Sequence, residues 1–367
     1  MTKIYLRPTG FVENPQRHEG ECLRLAGTML WFSHIEYVAR DGTSTQRQLV
    51  PVREWGAFAA ALPQTASARC TLLLQRITTP RTALQMGVHI IRLDQPQVMA
   101  IINTTPDSFS DGGKNLDPEI ATEAAAAMLR AGASIIDIGG ESTRPNAPLI
   151  GEGEELDRVV PLIRKLAQAG AAISIDTRKA SVMEGALQAG ATMINDISAL
   201  LYDERALEVA RNSNAPVVLM HAPSQGADPH KDGVYDDVVY DVFDWLEQRV
   251  SEVEAAGMSR DKILVDPGIG FGKTLADNLA IINNLAIYHG LGCALLFGAS
   301  RKRLIGALSN AEDAKGRLGG SIFLAMKAVE QGAHIVRVHD AAETVQAIQV
   351  WRGLRDAAGA GPLYPPM

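Results

Sequence analysis

From residue 97 onward, the chain alternates short apolar runs with longer amphipathic segments. The apolar runs are rich in β-branched residues, and each ends in polar residues or glycine: QVMAIIN (97–103), SIIDIGG (134–140), AAISIDT (171–177), TMINDIS (192–198), PVVLMHA (216–222), KILVDPG (262–268), ALLFGAS (294–300) and HIVRVHD (334–340). Uninterrupted apolar runs of this kind are typical of strands that are buried on both faces of a parallel sheet.

The segments between these runs have helical spacing. In DPEIATEAAAAMLRAGA (117–133), one face carries Ala124, Ala127, Met128 and Ala131, and a glycine stands where a helix would end. Eight strand-and-helix units over about 250 residues match a TIM (β/α)8 barrel in number and length. A doubly wound sheet would need a glycine-rich turn after its first strand, and NTTPDSFSDGG is not such a turn. The predicted fold class is α/β, with a barrel over residues 97–357 and a C-terminal tail over 358–367.

Residues 1–96 have a different pattern. LRLAGTMLWFSHIEYVARDG (23–42) contains alternating, β-rich runs and ends in Asp-Gly, a turn signal. VREWGAFAAALPQ (52–64) predicts a short amphipathic helix, and CTLLLQRIT (70–78) predicts another strand. We expect a small N-terminal α+β appendage of unknown role.

Composition and charge restrict the function. The 367-residue chain is 46% hydrophobic and 21% charged, as in ordinary globular proteins, and its net charge of −7 argues against binding to nucleic acid or to an anionic membrane. Its three cysteines have no metal-ligand spacing. No apolar stretch approaches the ~20 residues that span a bilayer, and the N-terminal residues lack the apolar core of a secretory signal. We expect a cytoplasmic protein.

Polar residues stand at the ends of all eight predicted strands. In a TIM barrel, side chains at the carboxyl ends of the strands face the active site. In chain order they are Asn103; Asp137; Asp176; Asn195 and Asp196; His221; Asp266; Ser300, Arg301 and Lys302; Arg337 and His339. Carboxylates and amides suit a nitrogen-rich planar heterocycle, because a carboxylate pairs well with an N–H/NH2 edge. Cations after strands seven and eight suit a small phosphate-like anion, with Mg2+ as its companion.

Some of these residues allow a second interpretation. Asp137 and Asp196 either bind ligand or only brace neighbouring loops. Lys302 on its own would be a surface lysine, but beside Ser300 and two arginines it is a candidate ligand. His230, His289 and His334 have no such neighbours and are expected to be structural or exposed, as is Arg303 at a helix start.

The stretch DPGIGFGKT (266–274) comes close to a phosphate-binding P-loop, GxxxxGK[ST], but Pro267 occupies the place of the first glycine. A P-loop also follows the first strand of its own αβ domain, whereas this stretch follows the sixth predicted strand. We therefore interpret it as a loop at the barrel mouth.

Seven motifs together resemble the dihydropteroate synthase family over about residues 97–355. They are NTTPDSFSDGG, DIGGESTRP, SIDTRK, INDI, DPGIGFGKT, GASRK and RVHD, in the order of the family and each at a predicted strand end. The resemblance implies that 6-hydroxymethyl-7,8-dihydropterin diphosphate and 4-aminobenzoate are condensed to 7,8-dihydropteroate and pyrophosphate. It also implies a homodimer and competition by sulfonamides, which resemble 4-aminobenzoate.

The resemblance further implies roles for individual residues. Those for the pterin are Asp176, Asn195, Met220, Asp266, Phe271 and Lys302, and Asn103 would help to hold Mg2+ on the diphosphate. Those for the leaving group or the loops around it are Ser142, Thr143, Arg301, Arg337 and His339. Those that close over 4-aminobenzoate are Asp107, Phe109, Asp111, Thr143, Arg144 and Ser300, with Asp107, Asp111 and Lys302 as the catalytic set.

The sequence departs from the family at three places, so competing functions stay open. Thr104 replaces a common valine, Ala199 stands where glycine is frequent, and the fifth-strand loop MHAPSQGADPHKDG (220–233) lacks the usual G-x-P-x-T-M-Q run. A methyltransferase domain that binds a folate would share the pterin set but not the diphosphate corner. Two more possibilities are a lyase that forms a Schiff base on Lys302 and a pterin-binding protein without catalytic activity.

Overall fold

The computed structural model describes residues 2–42, 44–104, 118–142, 147–224, 226 and 228–360. The N-terminal module contains strands β1 (Lys3–Val12), β2 (Leu23–Arg24), β3 (Trp31–Asp41) and β4 (Ser44–Pro51), followed by helices α1 (Trp55–Ala60) and α2 (Gln64–Thr78). β3 pairs antiparallel with β1, β2 and β4. The Asp-Gly turn signal is confirmed, because Asp41 pairs with Ser44 across it.

The predicted strand over residues 70–78 is wrong, since this segment is the second half of α2. Its buried side chains are Cys70, Leu73 and Ile77, while Leu72 is exposed. The buried positions follow the spacing of one helix face, and the run of three leucines concealed this period.

The barrel consists of eight parallel strands that close on themselves, as predicted. After a hairpin of β5 (Leu84–Met86) and β6 (His89–Ile91), the barrel strands are β7 (Gln97–Asn103), β8 (Ile135–Gly139), β9 (Ile173–Asp176), β10 (Met193–Asp196), β11 (Val217–Met220), β12 (Ile263–Asp266), β13 (Ala294–Phe297) and β14 (Ile335–Val338). Each strand pairs with the next, and β14 pairs with β7.

Helices surround the barrel. They are α3 (Pro118–Arg130), α4 (Glu152–Gln168), α5 (Ala180–Ala189), α6 (Ala206–Ser213), α7 (Val238–Ala255), α8 (Leu275–Asn283), α9 (Arg303–Ser309), α10 (Leu318–Val329) and α11 (Ala341–Ala360). The last helix continues to Ala360, whereas we predicted that the C-terminal tail begins at residue 358. In the described residues, no helix has the length and apolar character needed to cross a membrane.

The β5–β6 hairpin closes the amino-terminal end of the barrel. Its Leu84, Met86 and Ile91 belong to a buried cluster with Met99 and Ile135, which lie early in β7 and β8. This part of residues 1–96 therefore packs with the barrel core. The opposite end, where the strands finish, is left for the polar side chains.

The N-terminal module lies against α7. Asp244 accepts hydrogen bonds from Lys3 and Tyr5, and Glu247 accepts from Arg69 and Arg76. The Tyr5 ring also packs against Tyr240 and Phe243 of the same helix. Apolar contacts flanked by ion pairs thus join the module to the barrel.

Candidate active site

The parallel register brings the predicted pterin residues in two pairs to the carboxyl end of the barrel. Asp176 pairs with Asn195 across β9 and β10, and Met220 pairs with Asp266 across β11 and β12. Each of these residues lies at or next to the end of its strand, and all are buried. Because all eight strands run in the same direction, their carboxyl ends lie at the same end of the barrel, where these separate motifs form one polar floor.

Asp137 lies at the centre of this floor. Its Oδ2 accepts from Asn195 Nδ2 at 3.1 Å and from Arg337 Nε at 2.6 Å, and a second nitrogen of the same guanidinium group donates to Asp176 Oδ2 at 2.5 Å. Asp137 is completely buried. Asp137 thus braces Asn195 and Arg337 through Oδ2, while its buried Oδ1 has no hydrogen-bond partner among the described residues.

Charges control the ionisation of this floor. Burial raises the pKa of Asp176, and the neighbouring Arg337 opposes that shift. Although burial disfavours the Arg337 cation, Asp137 and Asp176 together hold its pKa above the usual range. Arg337 therefore stays charged and favours the ionised form of Asp176.

Asp196, on the other side of the β10 end, has a different task. Its Oδ1 accepts from Ser198 N at 2.7 Å and its Oδ2 from Leu200 N at 2.8 Å. Burial raises the pKa of Asp196 to about 6, while these hydrogen bonds act in the opposite direction. Asp196 thus braces the loop in which Ala199 has a left-handed φ of 52°, which explains why glycine suits that position.

Lys302 lies over the sixth-strand loop. Its Nζ donates to the carbonyl of Ile269 and is 4.6 Å from the centre of the Phe271 ring. Burial lowers the pKa of Lys302 to about 8, with Asp266 opposing the shift. Burial likewise raises the pKa of Asp266, and Lys302 is the main group that opposes this. Each of the two residues therefore favours the charged form of the other.

The sixth-strand loop is not a P-loop. A P-loop directs backbone N–H groups at an anion, whereas here the Lys273 ammonium group donates to the carbonyls of His221, Gly268 and Phe271. The glycines have left-handed φ angles, and a Cβ on Gly268 would lie 1.9 Å from His221 O. The glycines and the lysine of DPGIGFGKT therefore shape the loop itself.

The seventh and eighth loops bring Ser300, Arg301 and His339 to one corner of the mouth, whereas Arg337, predicted for the same corner, is bound to the floor carboxylates. Ser300 Oγ lies 3.1 Å from both the backbone N and Nδ1 of His339. Arg301 has a left-handed φ of 59°, and its guanidinium group is paired with Asp340. Asp340 was missed as a site residue, although it is the last letter of the RVHD motif. It orients Arg301 and partly neutralises the corner.

His230 was expected to be structural or exposed, without a place near the site. Instead, its ring stacks on Phe271 with the ring centroids 4.8 Å apart, and its Nδ1 hydrogen-bonds to Gly270 O at 3.2 Å. His230 belongs to the atypical fifth-strand loop, so this loop packs against the sixth. His289 and His334 are buried away from the mouth, as predicted.

A buried ion cluster below the second-strand loop was also missed. Lys179 Nζ is 2.7 Å from Glu155 Oε2 and 3.2 Å from Glu141 Oε2, and Arg178 Nε is 3.5 Å from Glu141. Lys179 also donates to Ile150 O. The SIDTRK motif contains both cations, so the signal was present, but their partners lie elsewhere in the chain.

The structure leaves part of the predicted site without a test. Asp107, Phe109, Asp111, Thr143 and Arg144 lie outside the described residues. Ser142 is partly buried. Thr104, which replaces the usual valine, donates its hydroxyl group to Gly139 O at 3.1 Å, so this polar group has a partner.

Asn103 ends β7, partly buried beside the polar floor. Among the described residues, no group of three or more His, Cys, Asp or Glu side chains could hold a metal ion. A Mg2+ ion bound mostly by substrate phosphates and water needs only one or two oxygen ligands from the protein. The Asn103 amide oxygen fits that kind of site.

Comparison with known proteins agrees with this geometry. A model of the pterin-binding enzymes matches residues 99–339. Dihydropteroate synthase of Escherichia coli strain K12 is 44% identical over 259 residues, which are 70% of this chain and 91% of that protein.

Solved structures give the same result. The Xanthomonas albilineans dihydropteroate synthase with 4-aminobenzoic acid is 42% identical, with a TM-score of 0.71 over 75% of this chain and 98% of that one. The same enzyme in complex with 7,8-dihydropteroate gives 41% identity and a TM-score of 0.68 over 74% of this chain and 98% of that one. This chain therefore belongs to the pterin-binding enzyme family, among its dihydropteroate synthases.

Proposed function

We propose that the polar groups at the barrel mouth carry out the dihydropteroate synthase reaction, which joins 6-hydroxymethyl-7,8-dihydropterin diphosphate to 4-aminobenzoate and releases pyrophosphate. The convergence of Asp176, Asn195, Asp266 and Lys302 at one end of the barrel is the observation that carries this proposal. Complexes of relatives with 4-aminobenzoic acid and with 7,8-dihydropteroate support the choice of substrates.

The pterin ring would lie between the polar floor and an apolar wall. Asp176 and Asp266 offer carboxylates to the ring N–H and NH2 groups, and Asn195 adds an amide. Met220 and Phe271 form a small buried cluster beside them. This arrangement combines directional hydrogen bonds with a flat apolar contact, as a heterocycle requires.

The diphosphate would occupy the cationic corner. Ser300, Arg301 and His339 lie there, and Arg337, two residues before His339, is bound to the floor carboxylates Asp137 and Asp176. We propose that Asn103 contributes an oxygen ligand to Mg2+. When bound, this ion would neutralise charge on the diphosphate.

In the reaction, the bond between the pterin methylene carbon and the diphosphate oxygen breaks, and the electron pair leaves with pyrophosphate. The amine of 4-aminobenzoate then forms the new C–N bond and loses a proton. The fixed carboxylates at the mouth would stabilise the developing positive charge on the pterin. The contributions of Asp107, Asp111, Phe109, Thr143 and Arg144 stay predictions from the resemblance, as does competition by sulfonamides.

We also propose a homodimer and a cytoplasmic location. Exposed apolar side chains lie on the neighbouring helices α10 and α11, namely Phe323, Val350 and Leu354. An exposed apolar group of this kind is typical of a protein interface. Free Cys22, Cys70 and Cys293 suit a reducing compartment.

The first experiment measures dihydropteroate formation and pyrophosphate release by the full chain with Mg2+. The expected result is product with the native protein, loss of product with Lys302→Ala, and near-native rates with Arg303→Ala, which removes the exposed cation next to it. Pterin binding without product in the native protein would contradict the proposal and favour a binding protein.

A further inference from the structure

The ammonium group of Lys273 lies among four acceptors. Nζ is 3.0 Å from His221 Nδ1, 3.3 Å from His221 O, 3.0 Å from Gly268 O and 3.2 Å from Phe271 O. An ammonium group has three protons and no acceptor. These protons are therefore shared among protein groups, which is unusual for a lysine in a loop.

These acceptors fix two loops at once. His221 directly follows β11, whereas Gly268 and Phe271 belong to the loop after β12. The same loop is also held by α8, because Gly270 N donates to Asn278 Oδ1 at 2.6 Å. Lys273 thus sits at the junction between the fifth-strand and sixth-strand loops.

The segment that Lys273 holds is the one that contacts Lys302. Ile269, whose carbonyl accepts from Lys302, lies in the chain between Gly268 and Phe271, whose carbonyls Lys273 binds. The Phe271 ring lies under the Lys302 ammonium group, and the carbonyl of the same residue accepts from Lys273. Displacement of the Gly268 or Phe271 carbonyl would therefore move both supports of Lys302.

We propose that Lys273 is a positioning residue for the pterin pocket, which acts by holding the carbonyls of the sixth-strand loop so that Ile269 and Phe271 support Lys302. The inference rests on the proposed function, since it takes Lys302 and Asp266 as parts of the pterin site. Lys273 does not contact substrate in this role.

Electrostatics adds a second effect. The charged groups that face Lys273 are Asp266, Asp277 and Lys302, and His221 contacts it directly. Burial lowers the pKa of Lys273 to about 7, and Asp266 opposes that shift. In return, the Lys273 cation lowers the pKa of Asp266, so its removal would raise the pH below which Asp266 loses its charge.

The test compares Lys273→Met and Lys273→Ala with Lys262→Ala in the full chain. Lys262 also donates to a backbone carbonyl, that of Asn214, but it lies before β12, at the other end of the same strand. The Lys273 variants should raise KM for the pterin diphosphate about tenfold to a hundredfold, because buried carbonyls lose their donor. KM for 4-aminobenzoate should change little, and the acid limb of kcat/KM for the pterin should move to higher pH.

Chemical rescue separates this role from general packing. Propylammonium replaces the atoms that Lys273→Ala removes, and 1-propanol has a similar size without the charge. Recovery of the pterin KM with propylammonium but not with propanol supports the proposal. If Lys273→Ala does not fold in plain buffer, recovery of active protein on refolding with propylammonium is the equivalent supporting result, and failure with both additives counts against it.

An unchanged pterin KM in folded Lys273→Met would overturn the proposal, and so would an equal rise in KM for both substrates without rescue. Lys302→Ala is measured in parallel. If Lys302→Ala keeps its native pterin KM, the pocket assignment fails by itself. If Lys302→Ala loses pterin affinity while Lys273→Met does not, only the inference on Lys273 fails.

Discussion

At the scale of single residues, the partners of a charged side chain decide its task. Asp137 and Asp176 both lie at or near the end of a strand. One oxygen of Asp137 accepts from both Asn195 and Arg337, whereas Asp176 accepts from Arg337. Lys273 and Lys302 similarly differ, since one is surrounded by carbonyls and the other lies beside Asp266 and Phe271.

The lowered pKa of Lys302 gives a prediction at this scale. Because its pKa in the folded protein is about 8 rather than 10.5, the cation is lost as pH rises through about 8. Kd for the pterin diphosphate, measured by calorimetry, should increase through this range in the native protein. The weak binding of Lys302→Met should show no such increase.

Stability should move in the opposite direction. A folded-state pKa below the unfolded value means that the unfolded chain binds more protons, so the cost of burying this lysine falls as pH rises from about 8 towards 10.5. If Lys302→Met lost pterin affinity at alkaline pH as the native protein does, the titrating group would be a residue other than Lys302.

At the scale of elements, α7 connects the N-terminal module to the barrel mouth. Asp241, Asp244 and Glu247 recur every three residues along the helix, and each is paired with a cation of the module. One turn from Asp241, Trp245 packs edge-on against His221 with the ring centres 5.0 Å apart. The helix that receives the module thus also contacts the residue that follows β11.

Glu247→Gln tests the strength of this connection. Although burial raises the pKa of Glu247, Arg69 and Arg76 outweigh it and hold the pKa below its usual value, so the contribution to stability is present above the unfolded pKa and is lost as pH falls. The substitution should lower the free energy of unfolding at pH 7 by about 1.5–3 kcal/mol.

The free energy of unfolding is measured by denaturant for Glu247→Gln and for a control, Glu208→Gln. Glu208 is a suitable control because it is exposed on α6. The control should change stability by less than about 0.5 kcal/mol. Equal stability of the two variants would mean that the pairing of Glu247 with Arg69 and Arg76 does not stabilise the protein.

At the scale of the whole molecule, the two sides of the barrel are covered differently. The N-terminal module covers α7 and the 3-10 segment Leu285–Leu291, where Tyr288 stacks on Phe243. On α10 and α11, in contrast, Phe323 and Leu354 remain 65% and 68% exposed within a single chain. The uncovered apolar side is therefore where a second copy is expected to bind.

Phe323→Glu tests this expectation. A charge at the centre of an apolar contact would be desolvated without a partner, so the dimer should dissociate. Sedimentation velocity should show a dimer for the native protein and a monomer for Phe323→Glu, while Leu49→Glu, on exposed β4, should leave the dimer intact. A native monomer, or a dimer that survives Phe323→Glu, would contradict the assignment of this face.

The sequence by itself determined the barrel and most of its mouth. Eight apolar runs specify strands buried on both faces, and the residue at each strand end is fixed in position once the barrel closes. For this reason Asp176, Asn195 and Asp266 could be placed together from the sequence. The seven motifs added the identity of the substrates, which no hydrophobic pattern contains.

Only the tertiary structure decided which groups touch. Lys273 with Gly268, His230 with Phe271, Arg301 with Asp340, and Arg76 with Glu247 are pairs that only the folded chain brings into contact. The helix over residues 64–78 was likewise decided by the tertiary structure. Its three consecutive leucines fit the period of a helix or of a strand, and the packing of the neighbouring elements determines which face is buried. The local pattern of apolar and polar residues predicts the secondary structure that a segment prefers, whereas contacts between distant side chains depend on the path of the whole chain.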